Sequence, residues 1–253
     1  MAYAGSSVHI GCAFSIIEIL AVLYRSHLGA ESGASPSADD RNYLVLSKGH
    51  GVMAQYACLY EAGVIGDEDL DRYFGDGTRL KGLSDTHVPG CEVTSGTLGH
   101  GLSVGVGLAL AARRKATAQY CYAVVGDGEM NEGPMWEALH FAAHFKLSNL
   151  VVIVDENRFQ AMGTTDEVMG LGNLQEKFGA FGFDVRSVDG HDESALDFAL
   201  RELKGLQNAR PKAIIARTVK GKGVSFMEND NKWHYTRLTD ATFRTAMDEL
   251  ESA

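Results

Sequence analysis

The sequence predicts an α/β fold, a doubly wound parallel sheet flanked by helices. Strand-like and helix-like runs alternate along the chain, the pattern that brings parallel strands together through right-handed helical crossovers. The central strand-like runs are nearly continuous in β-branched and apolar residues, as strands buried on both faces are. Many glycines follow strand-like runs: Gly49, Gly51, Gly96, Gly99, Gly101, Gly126 and Gly128 fall in loops that would ring one edge of the sheet. Ligands in such sheets bind at the carboxyl ends of the strands.

The elements read as follows. Ala13–Leu28 is the first helix and Tyr43–Leu46 (YLVL) the first strand. Helices over Val52–Ala62 and Leu102–Lys115 lead to the strand Tyr120–Val125. Pro134 opens the next helix, Met135–Phe145, since proline suits a first helical turn. The strand Leu150–Val154 (LVVIV) comes next, then the helix Leu174–Phe181 and the strand Phe183–Ser187. Helix Glu193–Lys204, strand Ala213–Arg217 and helix Thr239–Glu251 complete the series. Residues 1–253 read as one domain without repeat, linker or low-complexity tract. The opening MAYAGSSVHIG has small residues that look like the end of a helix, so a preceding helix is expected to be missing.

The chain has 253 residues and a formal net charge of −10. Its length, with 45% apolar and 22% charged residues, excludes a disordered, fibrous or disulfide-stapled protein. The acidic balance argues against nucleic-acid or anionic-membrane partners, both of which need a basic face. Any anionic ligand must be held by a few local donors. Cys12, Cys58, Cys91 and Cys121 form no CxxC pair and suit neither a zinc site nor a disulfide framework. They read as reduced thiols of a cytoplasmic protein. No apolar run reaches the ~20 residues of a membrane span, and no signal-peptide core is present.

The strongest chemical signal starts at the end of Tyr120–Val125. There the chain reads Gly126-Asp127-Gly128-Glu129-Met130-Asn131-Glu132-Gly133 before a helix. Paired glycines admit a ligand close to the backbone, and a helix start offers N–H groups to an anion. Asn157 follows the next strand, 30 residues after Asp127, about one strand–helix–strand unit. An Asp and an Asn oxygen at neighbouring strand ends, with a backbone carbonyl, make half of an octahedral magnesium shell, which diphosphate oxygens and water can complete.

Histidines recur in glycine-rich settings: His9 in SVHIG, His50 in SKGHG, His100 in GTLGHG, His87 before VPG, and His234 after Trp233. Imidazoles on such loops suit proton transfer near neutral pH and diphosphate contact. His140 and His144 have the i, i+4 spacing of a zinc helix but no glutamate beside the first, and read as a packed helix face. Neither the Gly99–Gly107 loop nor Lys220–Gly223 matches a dinucleotide or P-loop signature. The stretches Lys81–Asp85 and Asp248–Glu251 read as solvated.

The ordered set HIG, SKGHG, TSGTLGHGLSVGVGLALA, GDGEMNEGPMWEAL and DENRFQAMG resembles the thiamin-diphosphate-binding half of transketolase. The resemblance covers essentially the whole chain, at the length of the N-terminal subunit of split transketolases. It implies the diphosphate-binding domain of the thiamin enzymes. Thiamin diphosphate and Mg2+ would be the cofactors, with Asp127, Asn157 and the carbonyl of Phe159 on the metal. His50, Gly128 and His234 would contact the diphosphate, with Gly126 and Glu129 in the same binding loop. His9 and His234 would stand near the thiazolium and move protons on the sugar. Gly96 and Leu98 would line the aminopyrimidine pocket beside His100, and Glu132 would reach toward the catalytic acid of a partner. The resemblance thus implies catalytic roles for His9, His50, His87, His100 and His234. Two positions depart from the family pattern. The family's substrate-facing histidine stands several residues before the Pro-Gly pair equivalent to Pro89-Gly90, whereas His87 stands two before Pro89; and Tyr235 stands where a glycine often follows the histidine equivalent to His234.

The implied activity is half of a heteromeric ketol transferase that moves a two-carbon unit from a ketose phosphate or related anionic sugar to an aldose. The partner is a C-terminal transketolase subunit supplying the activating Glu, in an expected α2β2 assembly. The same Asp–Asn signal would serve the α chain of a 2-oxo-acid dehydrogenase, although the HIG and SKGH histidines favour sugar chemistry. A non-catalytic partner of a transketolase is the third reading.

Overall fold

A computed structural model describes residues 1–29 and 41–252. Its strands are β1 (Tyr43–Leu46), β2 (Cys121–Gly126), β3 (Leu150–Glu156), a small antiparallel pair β4 (Phe159–Gln160) and β5 (Gly163–Thr164), β6 (Asp184–Asp189) and β7 (Lys212–Arg217). Five of them form one parallel sheet in the order β1-β2-β3-β7-β6. Helices are α1 (Ile10–Phe14), α2 (Ile17–Ser26), α3 (Val52–Glu61), α4 (Asp67–Asp71), α5 (Gly101–Arg114), α6 (Gly133–His144), α7 (Thr165–Met169), α8 (Leu174–Ala180), α9 (Glu193–Gly205) and α10 (Asp240–Glu251).

Residues that alternate along each strand feed two separate cores. Leu44, Leu46, Tyr122, Val124, Val151, Ile153 and Ile214 face a core shared with α2, α3 and α9. Val45, Ala123, Val125, Val152, Val154, Ala213 and Ile215 face the core built with α5, α6 and α8. The double winding follows from this two-sided burial, since strands apolar on both faces need helices on both faces. Each fully buried Val, Leu or Ile contributes roughly 1.5–3 kcal/mol relative to exposure, so the central strands are the thermodynamic centre of the molecule.

The expected helix Ala13–Leu28 is two helices. Ser15 donates its hydroxyl to the Cys12 carbonyl and to Asp155, and Ile16 leaves helical geometry at φ −123°, ψ 11°. A side chain bonded to its own backbone competes with helix propagation. The short helix α7 is not expected from the sequence because five residues show no periodicity, yet its start is a capping box: Thr164 accepts from the Glu167 amide, and Glu167 accepts from the Thr164 amide. A further correction concerns His140 and His144. Their helix face is exposed, and with Trp136, Phe141, Phe145 and Phe181 it lines an open groove of about 670 Å³. Among the described residues no helix is long and apolar enough to cross a membrane.

Candidate functional site

The loops that follow β1, β2, β3 and β7 meet at one edge of the sheet. At their base lies a buried ion pair. Lys48, just past β1, places its ammonium on the Asp155 carboxylate in β3. The Lys48 and Asp155 side chains are 2% and 0% exposed. Lys48 also donates to the Cys12 carbonyl at 3.1 Å. Asp155 accepts from Ser15 at 2.8 Å, from the Asn157 amide at 2.8 Å, and from Thr218. Burial pulls the lysine down, but the Asp155 charge and the Cys12 thiol outweigh it and hold the ammonium above its ordinary range. One carboxylate thereby joins α1, β1, the β3 loop and the β7 loop.

Glu129 does similar work at the rim. Its carboxylate accepts from the Ser47 hydroxyl at 2.5 Å, the Gly99 amide at 2.9 Å and the Gly126 amide at 3.2 Å. Its side chain is committed to holding loops and presents no free oxygen to the pocket. Gly99, at φ 86°, lies so near Glu132 that an added Cβ would sit 2.8 Å from the Glu132 Cβ. Glycine is required there both for conformation and for space.

Asp127 and Asn157 grip the same turn. Asp127 accepts from the Gly128 amide at 2.7 Å and from the Arg158 amide at 2.5 Å. Asn157 Oδ1 accepts from the Phe159 amide at 3.0 Å. The register pairs Gly126 with Asp155, so these oxygens come from the ends of adjacent strands. Burial, followed by the Asp155 charge, pushes the Asp127 carboxyl up to about 7. Above the turn, Gln160 covers Gly128 so closely that a Cβ would lie 2.7 Å from its Cγ, and the buried Gln160 Nε2 has no partner among the described residues. Lys220, 1% exposed, sits 5.4 Å over the Phe159 ring. Hard oxygens, an orphan amide and a buried ammonium together suit a divalent cation bridged to an anion.

Beside this turn stand the imidazoles of His9, His50 and His234. Their ring centroids are 5.3 Å (His9–His50), 5.6 Å (His9–His234) and 5.7 Å (His50–His234) apart. His9 reaches the group from an αL position, φ 68°, at the start of α1. His234 Nδ1 lies 2.7 Å from the Lys220 ammonium, which donates to it. Burial first, then Lys220, depresses His9 and brings His234 to about 3. Burial, then Lys48, depresses His50 well below its usual value. All three are neutral at pH 7, each able to accept a proton on one nitrogen and donate from the other.

The folded state therefore binds fewer protons than the unfolded one below the unfolded value of 6.5. Stability contributed by these neutral rings is present above pH 6.5 and is lost as pH falls through their lowered values, about 3 for His234. The slope is at most about 1.4 kcal/mol per pH unit per histidine. His234→Gln should flatten the acid limb of a melting-temperature profile; an unchanged limb would show that His234 titrates normally.

The remaining expected residues lie around this centre. Gly96, at φ 154°, packs against Leu83, and Leu98 is half-buried. His100 is exposed, with Nδ1 3.2 Å from the Leu98 carbonyl. Glu132 is exposed at the start of α6, with no capping bond from its side chain. The structure does not bring His87 into the imidazole group: its side chain is 86% exposed and pairs with Asp85 at 2.6 Å. Sequence reasoning passes over Lys48, Asp155, Lys220 and Cys12. The available signal is a lysine directly beyond an apolar strand and another between β7 and a glycine turn, positions where a long cation can reach inward.

Residues 2–251 match the family model described as "Transketolase, thiamine diphosphate binding domain". The chain is 39% identical over 248 residues to one of the subunits of the apulose-4-phosphate transketolase of Phocaeicola vulgatus, covering 98% of this chain and 88% of that one. It is 38% identical to the 6-deoxy-6-sulfo-D-fructose transketolase subunit SqwG of a Clostridium species, covering 96% and 88%. Among solved structures it superposes on transketolase from Campylobacter jejuni with a TM-score of 0.90 and 28% identity. That match covers 99% of this chain but 41% of the other, so the chain spans about two fifths of this solved transketolase.

Proposed function

The chain belongs to the transketolase family, as its thiamine-diphosphate-binding domain, and from that premise we propose that it is the cofactor-anchoring subunit of a two-chain transketolase. The observation that carries the reading is the convergence of the Asp127–Asn157 turn with three neutral imidazoles at one sheet edge. Asp127, Asn157 and the Phe159 carbonyl would hold Mg2+, and the residues fit it: Asp127 and Asn157 bring hard, buried oxygens from the ends of adjacent strands to one turn. His50, His234, Gly126, Gly128 and the unpartnered Gln160 amide would meet the diphosphate, with Gly96 and Leu98 toward the pyrimidine end. Thiamin diphosphate, when bound, supplies the electron sink that no side chain offers.

The chain's own residues bind, orient and carry protons. His9, kept neutral by burial and by Lys220, would take a hydroxyl proton from a ketose, and His234, likewise neutral, would hand one back from its protonated nitrogen. Lys220 fixes the tautomer of His234 by donating to Nδ1, leaving Nε2 as the protonated nitrogen. His100 and Glu132 lie on the rim where a partner chain, supplying an activating Glu, would close the site in an α2β2 assembly. His87 would stand on the outer substrate approach, facing that partner. The donor is a ketose phosphate or a related anionic sugar, and the compartment is the cytoplasm.

Reconstitution with a C-terminal transketolase subunit tests this reading. The pair should cleave ketoses in the presence of thiamin diphosphate and Mg2+, and turnover of pyruvate-like acids instead of ketoses would favour a 2-oxo-acid dehydrogenase chain. A pair that binds no cofactor would favour a non-catalytic role. In the active pair, His9→Ala should lower kcat roughly 10²-fold or more with little change in cofactor affinity, as expected for proton transfer in the transition state. An equal loss of cofactor binding would reassign His9 to binding.

A further inference from the structure

We propose that Cys12, His50 and His234 form a binding site for a thiophilic divalent cation of the zinc class, separate from the oxygen-donor turn at Asp127. Their ligand atoms all lie within 4.8 Å of one another, and no other such group of three occurs among the described residues. Cys12 Sγ is 3.7 Å from His234 Nδ1. A tetrahedral zinc shell, with Zn–S of about 2.3 Å and Zn–N of about 2.0–2.1 Å, sets sulfur and nitrogen about 3.6 Å apart. The observed edge is already near that separation, and the third ligand needs a shift of the order of 1 Å.

The donor set decides the kind of ion. One sulfur and two imidazoles favour zinc-like cations over magnesium, which takes oxygen ligands and keeps its waters. Cys12 is 2% exposed, and both imidazoles are uncharged, the state in which they ligate. Three protein ligands leave the fourth position to water. Binding breaks the Cys12 S–H bond, forms one S–metal bond and sends one proton to solvent. No electron changes hands.

Lys220 opposes the ion. Its ammonium donates at 2.7 Å to the same Nδ1 that the metal would use, so ammonium and cation compete for one lone pair. The lysine is thus the element that keeps the site weak and the imidazoles free. On the functional reading above, an ion here occupies the histidines of the catalytic pocket and excludes thiamin diphosphate. The site itself does not depend on that reading.

Titration of the isolated full chain with Co2+ tests the inference. About one ion per chain should bind with a thiolate-to-cobalt charge-transfer band and tetrahedral d–d intensity, both removed by Zn2+. Cys12→Ser, Cys12→Ala and His50→Gln should each lose the charge-transfer band or its tetrahedral signature. Asp127→Ala should keep both. Lys220→Met should tighten binding roughly tenfold, the worth of one hydrogen bond to a charged donor. Absence of the band in the folded parent chain, or its survival in Cys12→Ser, overturns the site. If the band forms as described but the pair reconstituted with a C-terminal transketolase subunit binds no thiamin diphosphate with Mg2+, the metal site stands and the functional reading fails.

Discussion

Lys48→Met should cost the fold about 3–5 kcal/mol, because it leaves the Asp155 charge buried without its cation. A residual hydrogen-bond set from Ser15, Asn157 and Thr218 remains, but none of these donors carries a charge. For a domain of this size each kcal/mol shifts melting by roughly 2–4 °C, so a fall of the order of 10 °C is expected. Chemical denaturation should show a lower midpoint with an unchanged slope. The double variant Lys48→Met/Asp155→Asn should recover part of the loss, since it removes both charges while keeping an acceptor at position 155. A single variant with parental stability, or a double variant whose cost is the sum of its singles, would show that the pair is not coupled.

Asp127→Ala should reduce magnesium-dependent binding of thiamin diphosphate by more than about 100-fold, since loss of outer-shell partners alone costs 10–100-fold in metal sites. The fold should survive. Asp127 accepts two backbone amides, yet burial and the Asp155 charge raise its carboxyl to about 7, so removing it also removes an electrostatic burden. Calorimetry with cofactor and Mg2+, alongside a melting curve, separates the two effects. Retained affinity would take the metal assignment away from Asp127. Lost affinity with a collapsed melting temperature would point to a structural role instead.

The sheet is legible because its information is local. Runs such as Leu150–Val154 and Ala213–Arg217 are apolar at nearly every position, and the strands fall within two residues of expectation at either end. Beside them, Ala13–Leu28 reads as one continuous helix because the bond that interrupts it runs from Ser15 to Asp155, 140 residues away. The Asp127–Asn157 turn is legible because one strand–helix–strand unit fixes its spacing. The lysines are not. Lys48 lies 107 residues from Asp155, and Lys220 meets His234 only because the chain after β7 doubles back. His87 illustrates the opposite limit: a histidine in a glycine-rich context can still end in solvent beside its own neighbour Asp85.

Glu129 has a consequence for how the pocket comes into being. Its carboxylate reaches residues 82 and 30 positions away in sequence and closes on a third only three away. The sheet can assemble strand by strand, but this three-way knot cannot tie until all the participating segments have arrived. The pocket's geometry therefore rests on all three segments at once. Loosening any one of the three segments disturbs an anchor shared with the other two.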